Sequence, residues 1–247
     1  MPKFFVKEDQ IKNNVVKIIG TDINHIKNVL RLKENDKIEI CNSENQANYL
    51  CQITTINDEQ IECNIINELI ENREANLKVT IFQGLPKADK MELIIQKSVE
   101  LGVYDITPVE MTRCVVKLND KDKTKKLERW NKISEVAAKQ SQRNIIPKIN
   151  NVITMKNLID LINEYDSIIV AYEKEKNYTI KQELEKLKQQ NAKKIGIVIG
   201  PEGGLEEKDV ELLKDNGAKV ITLGNRILRT ETVALNVLSN IMYEFEM

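Results

Sequence analysis

The sequence has one histidine and only four cysteines among its 247 residues, and these scarcities exclude several kinds of chemistry. The lone histidine, His25, rules out any site built on two imidazoles. Cys41, Cys51, Cys63 and Cys114 form no C-x-x-C pair and are too few and too spread out for a disulfide framework. The sequence therefore offers no plausible set of ligands for a metal ion. A catalytic Ser-His-Asp or Cys-His group would depend on His25, which has no nucleophile elbow near it, so a hydrolase is disfavoured.

Long apolar runs and the common phosphate-binding motifs are also missing. The longest apolar runs, at 168–172 and 195–200, fall far short of the ~20 residues that cross a bilayer. The first ten residues lack the apolar stretch of a secretory signal and include Glu8 and Asp9. We therefore expect a cytoplasmic protein that does not cross a membrane. Neither G-x-G-x-x-G nor G-x-x-x-x-G-K-S/T occurs, which argues against a nicotinamide oxidoreductase and against a P-loop protein.

Charge is nearly balanced, with 37 basic and 38 acidic side chains, but it is unevenly distributed. Residues 1–72 have a net charge of −4, whereas residues 113–148 carry 11 basic and 4 acidic side chains. Such a basic run is typical either of a solvated helix surface or of a surface that faces phosphates.

Two patterns of secondary structure divide the chain. Residues 1–69 contain short alternating runs between turn residues, which predict a small β-barrel with one helical interruption at 21–32. A polar segment at 71–76 is typical of a linker. We therefore predict one domain at 1–72 and a second at 73–247.

In the second domain strands alternate with longer helical segments, which is typical of an α/β fold with a mostly parallel sheet. Helices are predicted at 89–102, at 124–143 and from Thr230 onward, because apolar residues recur there at helical spacing. The predicted strands are 79–83, 105–109, 167–172, 195–200 and 218–224.

Two loops that follow predicted strands are unusual, and ligands of open α/β sheets bind at such loops. The first, IGPEGG at 199–204, is explained equally well by a ligand loop and by a tight turn before a helix. Glu202 would repel a phosphate, so a neutral or cationic ligand suits this loop better.

The second unusual loop is LGNRILRTET at 223–232. Ile227 and Leu228 either pack beneath the loop or line an apolar slot for a flat ring. Thr230 has an ordinary interpretation as a helix N-cap, and Glu231 as an acid that favours the helix amino terminus.

Five separated blocks, in order, resemble one known family, the ribosomal RNA small-subunit methyltransferase E family. The blocks are VLRLKENDKIEI at 29–40, KADKMELIIQKSVELGV at 87–103, AAKQSQR at 137–143, and the two loops at 199–204 and 223–232. The resemblance extends from Lys3 to the carboxyl terminus. It implies a PUA-like β-barrel domain followed by an α/β domain of the SPOUT methyltransferase class, with a mostly parallel sheet and a trefoil knot.

The resemblance also implies an activity. This is methylation of N3 of a uridine in 16S ribosomal RNA of the 30S subunit, with S-adenosylmethionine (SAM) as the donor and a homodimer formed through the C-terminal domain. The cofactor-binding residues it implies are Ala171, Tyr172, Glu173, Gly200, Pro201, Glu202, Gly203, Gly204, Leu223, Gly224, Asn225, Ile227 and Leu228. The RNA-binding residues it implies are Arg31, Lys87, Arg113, Lys117, Lys139, Gln140 and Arg143. We expect Arg229 and Glu231 to orient the uridine and to ease the loss of its N3 proton.

Two alternatives stay open. One is a SPOUT methyltransferase that acts on another RNA position, and the other is a non-catalytic ribosome-assembly protein that binds RNA. The intact glycine loops favour an enzyme, and the barrel together with the 137–143 block favours uridine N3.

Overall fold

The computed structural model describes residues 1–246, which form two compact units. The first consists of Met1–Glu74 together with Ala138–Ile146, and the second contains the rest of the described chain. The predicted boundary at 72/73 lies close to the end of the first of these segments. Residues 138–146 were expected in the second domain but lie with the first unit.

The first unit is built on one mixed sheet. Its strands are β1 (Lys3–Val6), β2 (Ile11–Lys12), β3 (Val15–Ile19), β4 (Lys37–Asn42), β5 (Asn48–Ile56) and β6 (Gln60–Leu69). Their order is β1-β4-β5-β6-β3-β2, with β1 parallel to β4 and the other pairs antiparallel. Because side chains alternate between the faces of a strand, Phe4, Ile18 and Ile38 share one buried core. These strands lie within residues 1–69, the region whose short alternating runs predict β structure.

One helical segment interrupts this sheet, as predicted, but it is short and irregular. Helix α1 (Thr21–Asn24) continues as a π-helical turn at His25–Val29. Ile23 and Ile26 are buried, whereas Leu30 is exposed and Arg31 follows with a left-handed φ of +55°.

A buried polar cluster attaches residues 142–145 to the first unit. Glu74 Oε1 accepts a hydrogen bond from the Asn144 amide at 2.7 Å, and the Glu74 carboxylate pairs with the Arg143 guanidinium. The fully buried ammonium of Lys3 donates to Asn144 Oδ1 at 2.7 Å. Arg143 is only 5% exposed. Since charges buried this deeply require paired partners, these contacts explain why the segment belongs to the first unit.

The second unit is a parallel sheet with helices packed on it. Its strands are β7 (Lys78–Gly84), β8 (Asp105–Glu110), β9 (Lys148–Ile149), β10 (Ile153–Thr154), β11 (Ser167–Ala171), β12 (Lys194–Ile199) and β13 (Lys219–Ile221). The order is β10-β8-β7-β12-β11-β13, with β9 pairing separately with β8, and each of these pairs is parallel. The five predicted strands are present, although β13 covers only Lys219–Ile221 of the predicted 218–224. The two-residue strands β9 and β10 were not predicted, because so short a run has no period.

The helices are α2 (Lys90–Glu100), α3 (Asp120–Gln140), α4 (Met155–Leu161), α5 (Ile180–Gln189), α6 (Glu207–Asp215) and α7 (Thr230–Glu246). The three predicted helices correspond to α2, α3 and α7. Ala234, Val237 and Leu238 of α7 are buried within the chain, where α7 packs on α2. Among residues 1–246, no helix combines the length and apolarity needed to cross a membrane.

Close packing in the middle of the sheet requires glycine. A Cβ atom on Gly196 of β12 would lie 2.3 Å from Ile168 Cδ1 and 2.8 Å from Phe82 Cε2. These two side chains belong to β11 and β7, the strands on either side. Because the strands are parallel, the loops after their carboxyl ends meet at one edge of the sheet.

Replacing Glu74 with alanine is expected to lower the free energy of unfolding by about 3–5 kcal/mol, because it removes the carboxylate partner of a buried guanidinium. Urea denaturation followed by circular dichroism measures the loss. Glu71→Ala is the matched control, since Glu71 pairs with Arg73 while 68% exposed, and pairs of that kind contribute about 0–1 kcal/mol. Equal losses in the two variants would contradict the structural role of Glu74.

Candidate active site

A pocket of about 450 Å³ lies at the carboxyl ends of β11, β12 and β13, which are neighbouring strands. Its walls are the loops after these strands and the first turns of α2 and α7. The structure brings together here all thirteen residues that the family resemblance assigns to the cofactor, from the segments 171–173, 200–204, 223–225 and 227–228. The other lining residues are Lys90, Ile199, Leu205, Thr222, Arg226, Arg229, Thr230 and Val233.

The loop from Gly200 to Gly204 turns sharply between β12 and α6. The Gly204 amide donates to the Pro201 carbonyl oxygen at 2.9 Å, and Gly204 has a φ of +70°, which favours glycine. A Cβ atom on Gly200 would lie 2.9 Å from both the Gly204 carbonyl carbon and the Leu205 amide nitrogen. Gly204 thus supplies a left-handed conformation, and Gly200 leaves room for the returning backbone.

Buried hydrogen bonds connect this loop to the start of α7. Thr230 Oγ1 donates to the Gly200 carbonyl oxygen at 2.7 Å and accepts from Gln83 Nε2 at 2.9 Å. The N-cap interpretation of Thr230 is wrong, because α7 begins at Thr230 itself. Its hydroxyl bonds instead to Gly200, which follows β12, and to Gln83 of β7. Thr230 thus bonds to residues that are distant in sequence, where an N-cap would bond to an amide of its own helix.

The loop at 223–229 forms an exposed wall of the pocket. Ile227 is 85% exposed although it is apolar, and Leu228 is half-buried. Within residues 1–246, the backbone amides of 225–228 donate no hydrogen bond to the protein. Free amide donors beside apolar side chains are what a flat heteroaromatic ring requires.

Lys90 joins two carboxylates from different parts of the chain. Its ammonium lies 3.2 Å from Glu202 Oε1 and 3.3 Å from Glu231 Oε2. Partial desolvation lowers the pKa of Lys90, but the hydrogen bonds and charges of the two carboxylates outweigh it and raise that pKa above its ordinary value. Desolvation likewise raises the pKa of Glu202, yet hydrogen bonds from its own amide, the Lys87 amide and Lys90 hold that pKa below the usual range. Lys90 and Glu202 are therefore both charged at neutral pH.

Sequence reasoning missed Lys90, because the periodicity at 89–102 describes only the buried face of a helix. One signal was present. A cation in the first turn of a helix is opposed by the helix dipole, so a lysine there needs another source of stabilisation. That source is the pair of carboxylates, which only the fold brings to it.

The seven residues assigned to RNA fall into two groups. Arg31, Lys87, Arg113, Lys117 and Gln140 are exposed. Lys139 pairs with Asp22 at 2.7 Å, and Arg143 pairs with Glu74, so these two charges have partners inside the first unit. Arg113 also donates to the Gly203 carbonyl oxygen at 3.0 Å and thus lies beside the glycine loop.

Neither the four cysteines nor the histidine is among the residues that line the pocket. In residues 1–246, no group of three or more His, Cys, Asp or Glu side chains is arranged to hold a metal ion. All four cysteines are buried thiols, and burial raises the pKa of Cys51 and Cys63 to about 12. The His25 ring meets Phe4 edge-on in the first unit.

Comparison with known proteins identifies the family. The model of an RNA methyltransferase domain matches residues 73–242, and the model of an RNA methyltransferase PUA domain matches residues 18–66. Ribosomal RNA small subunit methyltransferase E of Bacillus subtilis is 39% identical, over 100% of this chain and 98% of that protein. This chain belongs to the methyltransferase E family. The protein of the same name from Mesomycoplasma hyopneumoniae is 35% identical, over 97% of this chain and 98% of its own length.

Solved structures of family relatives have the same architecture. Ribosomal RNA small subunit methyltransferase E of Neisseria gonorrhoeae, bound to SAM, is 29% identical, with a TM-score of 0.86 over 98% of this chain and 97% of that one. A methyltransferase of Legionella pneumophila with bound SAM is 26% identical, with a TM-score of 0.86 over 98% and 96% of the two chains. These matches confirm the predicted fold class, a SPOUT methyltransferase domain preceded by a PUA-like domain. The trefoil knot stays a prediction.

Gly200→Ala is expected to lower the free energy of unfolding by about 1–3 kcal/mol, because its Cβ atom has no space unless the backbone at 204–205 moves. Gly203→Ala in the same loop is the comparison variant, since its nearest contact would be 3.3 Å, to Arg113 Cβ. Thermal denaturation measures both. A loss in Gly200→Ala no larger than that in Gly203→Ala would contradict the close backbone approach.

Proposed function

We propose that this protein transfers a methyl group from SAM to N3 of a uridine in 16S ribosomal RNA of the small ribosomal subunit. One observation carries the proposal: the pocket is formed by the two glycine loops in a chain that matches methyltransferase E relatives over its full length. The chain is a SAM-dependent RNA methyltransferase, and uridine N3 is the finer part of the proposal.

The pocket suits a donor that has an adenine ring, a positive charge and no phosphate. The amides of 225–228 supply hydrogen-bond donors to the ring, and Ile227 and Leu228 supply an apolar surface. Glu173 and Glu202 also line the pocket, and carboxylates favour a cation while opposing a phosphate. When bound, SAM supplies an electrophilic methyl group on a positively charged sulfur. The residues present fit this donor.

Arg229 and Glu231 carry the proton chemistry. In-line transfer needs alignment of the reacting atoms, so positioning by the pocket walls supplies much of the rate. The N3 proton of uridine must leave as the new bond forms. Glu231, whose side chain is 17% exposed, accepts this proton. Arg229, exposed at the pocket rim, stabilises the negative charge that develops on the uracil ring.

Exposed basic side chains bind the RNA backbone, and the pocket reads the base. Arg31 in the first unit and Lys87, Arg113 and Lys117 in the second contact phosphates, with Gln140 as a polar contact. Lys139 and Arg143 act indirectly, through the ion pairs that shape the first unit. The target uridine leaves its stack to enter the pocket, as base-modifying enzymes require.

Two further features belong to the proposal. The protein acts in the cytoplasm, where its ribosomal substrate is found. It works as a homodimer that forms through its second unit. The apolar stripe of α7 is already buried within the chain, so exposed side chains form the interface.

The deciding experiment is transfer of labelled methyl from SAM to 30S subunits that lack the modification, followed by nucleoside analysis. Label in 3-methyluridine is expected. Label in another nucleoside would contradict the base assignment, and bound SAM with no labelled RNA in any subunit preparation would favour the assembly-protein alternative.

Glu231→Gln is expected to lower kcat about 100-fold, because the amide cannot accept the proton, and Arg229→Ala is expected to lower it about 10-fold or more. RNA affinity should change little in both. The control is Glu211→Gln on the exposed surface of α6, which should keep the wild-type rate. A wild-type rate in Glu231→Gln or Arg229→Ala would remove that residue from the mechanism.

RNA affinity is expected to fall steeply as salt rises, because phosphate contacts release counterions. Each of Arg31→Ala and Lys117→Ala should reduce the slope of log Kd against log salt concentration by about 0.7–0.9. Fluorescence anisotropy with a labelled 16S RNA fragment measures this slope. Lys181→Ala on the exposed surface of α5 is the control. A flat salt response would contradict phosphate binding.

A further inference from the structure

Lys90 connects two walls of the pocket that come from distant parts of the chain. It is the first residue of α2, whereas Glu202 lies in the loop after β12 and Glu231 in the first turn of α7. The ammonium is within 3.3 Å of both carboxylates. A side chain in contact with both groups makes the position of one depend on the other.

We propose that Lys90 is a positioning residue for methyl transfer, which holds the Glu231 carboxylate at the pocket edge and links it to the loop that carries Glu202. The inference rests on the proposed function, in which Glu231 accepts the N3 proton. Lys90 acts through Glu231, so it affects the chemical step more than RNA binding.

The three side chains of this cluster are only partly exposed. Lys90, Glu202 and Glu231 are 27%, 26% and 17% exposed, unlike the freely solvated pairs that contribute little. The Oε2 atom of Glu231 is itself buried, and Lys90 is the cation that faces it. Glu231 is not itself among the residues that line the pocket, but it follows the lining residue Thr230. The charged lining residues besides Lys90 and Glu202 are Glu173, Arg226 and Arg229, which are exposed.

The charges of this cluster balance through the reaction. Before transfer, the formal charges of Glu202, Lys90 and Glu231 add up to −1. This net negative charge compensates the single positive charge of the donor sulfur. As the N3–H bond breaks, the proton passes to Glu231, the N3 electron pair bonds to the methyl carbon, and the carbon–sulfur electrons return to sulfur. Afterwards the sulfur is neutral, Glu231 is protonated, and Lys90 and Glu202 remain as a neutral ion pair. Without Lys90, two carboxylates would repel each other across the pocket edge.

Helix stability does not explain Lys90. A cation at the first position of α2 faces the positive end of the helix dipole, which opposes it. Lys97, by contrast, lies in the last turn of the same helix and pairs with Glu100 at 2.8 Å. Lys97 is therefore a matched control within one helix.

Single-turnover methyl transfer to undermethylated 30S subunits tests the proposal with Lys90→Met, Lys90→Arg and Lys97→Met. We expect Lys90→Met to lower the transfer rate about 10- to 100-fold with KM for RNA changed less than about threefold. Lys90→Arg should recover part of the rate, and Lys97→Met should match the wild type. A wild-type rate in Lys90→Met would overturn the proposal, as would a loss confined to KM. If Lys90→Met does not fold, Lys90→Gln replaces it.

A double-mutant cycle distinguishes action through Glu231 from a separate effect. In a Glu231→Gln background, Lys90→Met should lower the transfer rate less than about threefold, because the carboxylate that Lys90 positions is already absent. A full additional 10-fold loss would overturn the proposal. If the wild-type protein methylates another nucleoside, only the proposed function is contradicted. The double-mutant cycle can then be repeated with that nucleoside as the measured product, and it still reports the coupling between Lys90 and Glu231.

Calorimetric binding of SAM and S-adenosylhomocysteine provides a readout without turnover. Removing the ammonium leaves more negative charge at the pocket, so Lys90→Met should raise the preference for the cationic donor over the neutral product about threefold or more. An unchanged preference for SAM over S-adenosylhomocysteine would show that the Lys90 charge does not affect ligand binding in the pocket. It would overturn the charge balance on which the proposal depends.

Discussion

The parallel pairing of β12 between β7 and β11 is the constraint on which the site depends. Gly196 allows the side chains of the flanking strands to pack closely against β12. That pairing places the ends of β11, β12 and β13 at one edge, where their loops enclose the pocket. The Gln83–Thr230–Gly200 hydrogen bonds then join the end of β7, the glycine loop and α7. The pocket is therefore a consequence of strand register.

Buried and half-buried charges have different functions in the two units. In the first, Lys3 and Arg143 are paired within a polar cluster that attaches residues 138–146. In the second, Lys90 is shared by two carboxylates at the pocket. The basic run at 113–148 is accordingly not one surface. Lys139 and Arg143 within it pair with Asp22 and Glu74, which lie far away in sequence.

Periodicity and turn residues predicted the long strands, the three helices and the change from one fold class to another near residue 72. These features are local, since each depends on residues within one or two turns or strand lengths. The five family blocks added the cofactor, the RNA substrate class and the two domain types. The N-cap interpretation of Thr230 was wrong, and the contacts of Lys90 and those of residues 138–146 with the first unit were missed. Each of these has its partners on another element, so no local pattern contains them.

The sequence by itself determined the longer strands, three of the helices, the fold class and the loops in which the chemistry lies, because hydrophobic spacing and glycine placement act over short distances along the chain. Only the tertiary structure decided which groups meet. It brought Lys90 to Glu202 and Glu231, and gave Arg143 to Glu74. Ion pairs and hydrogen bonds between distant residues depend on strand order and register, which the spacing of residues in a sequence does not specify.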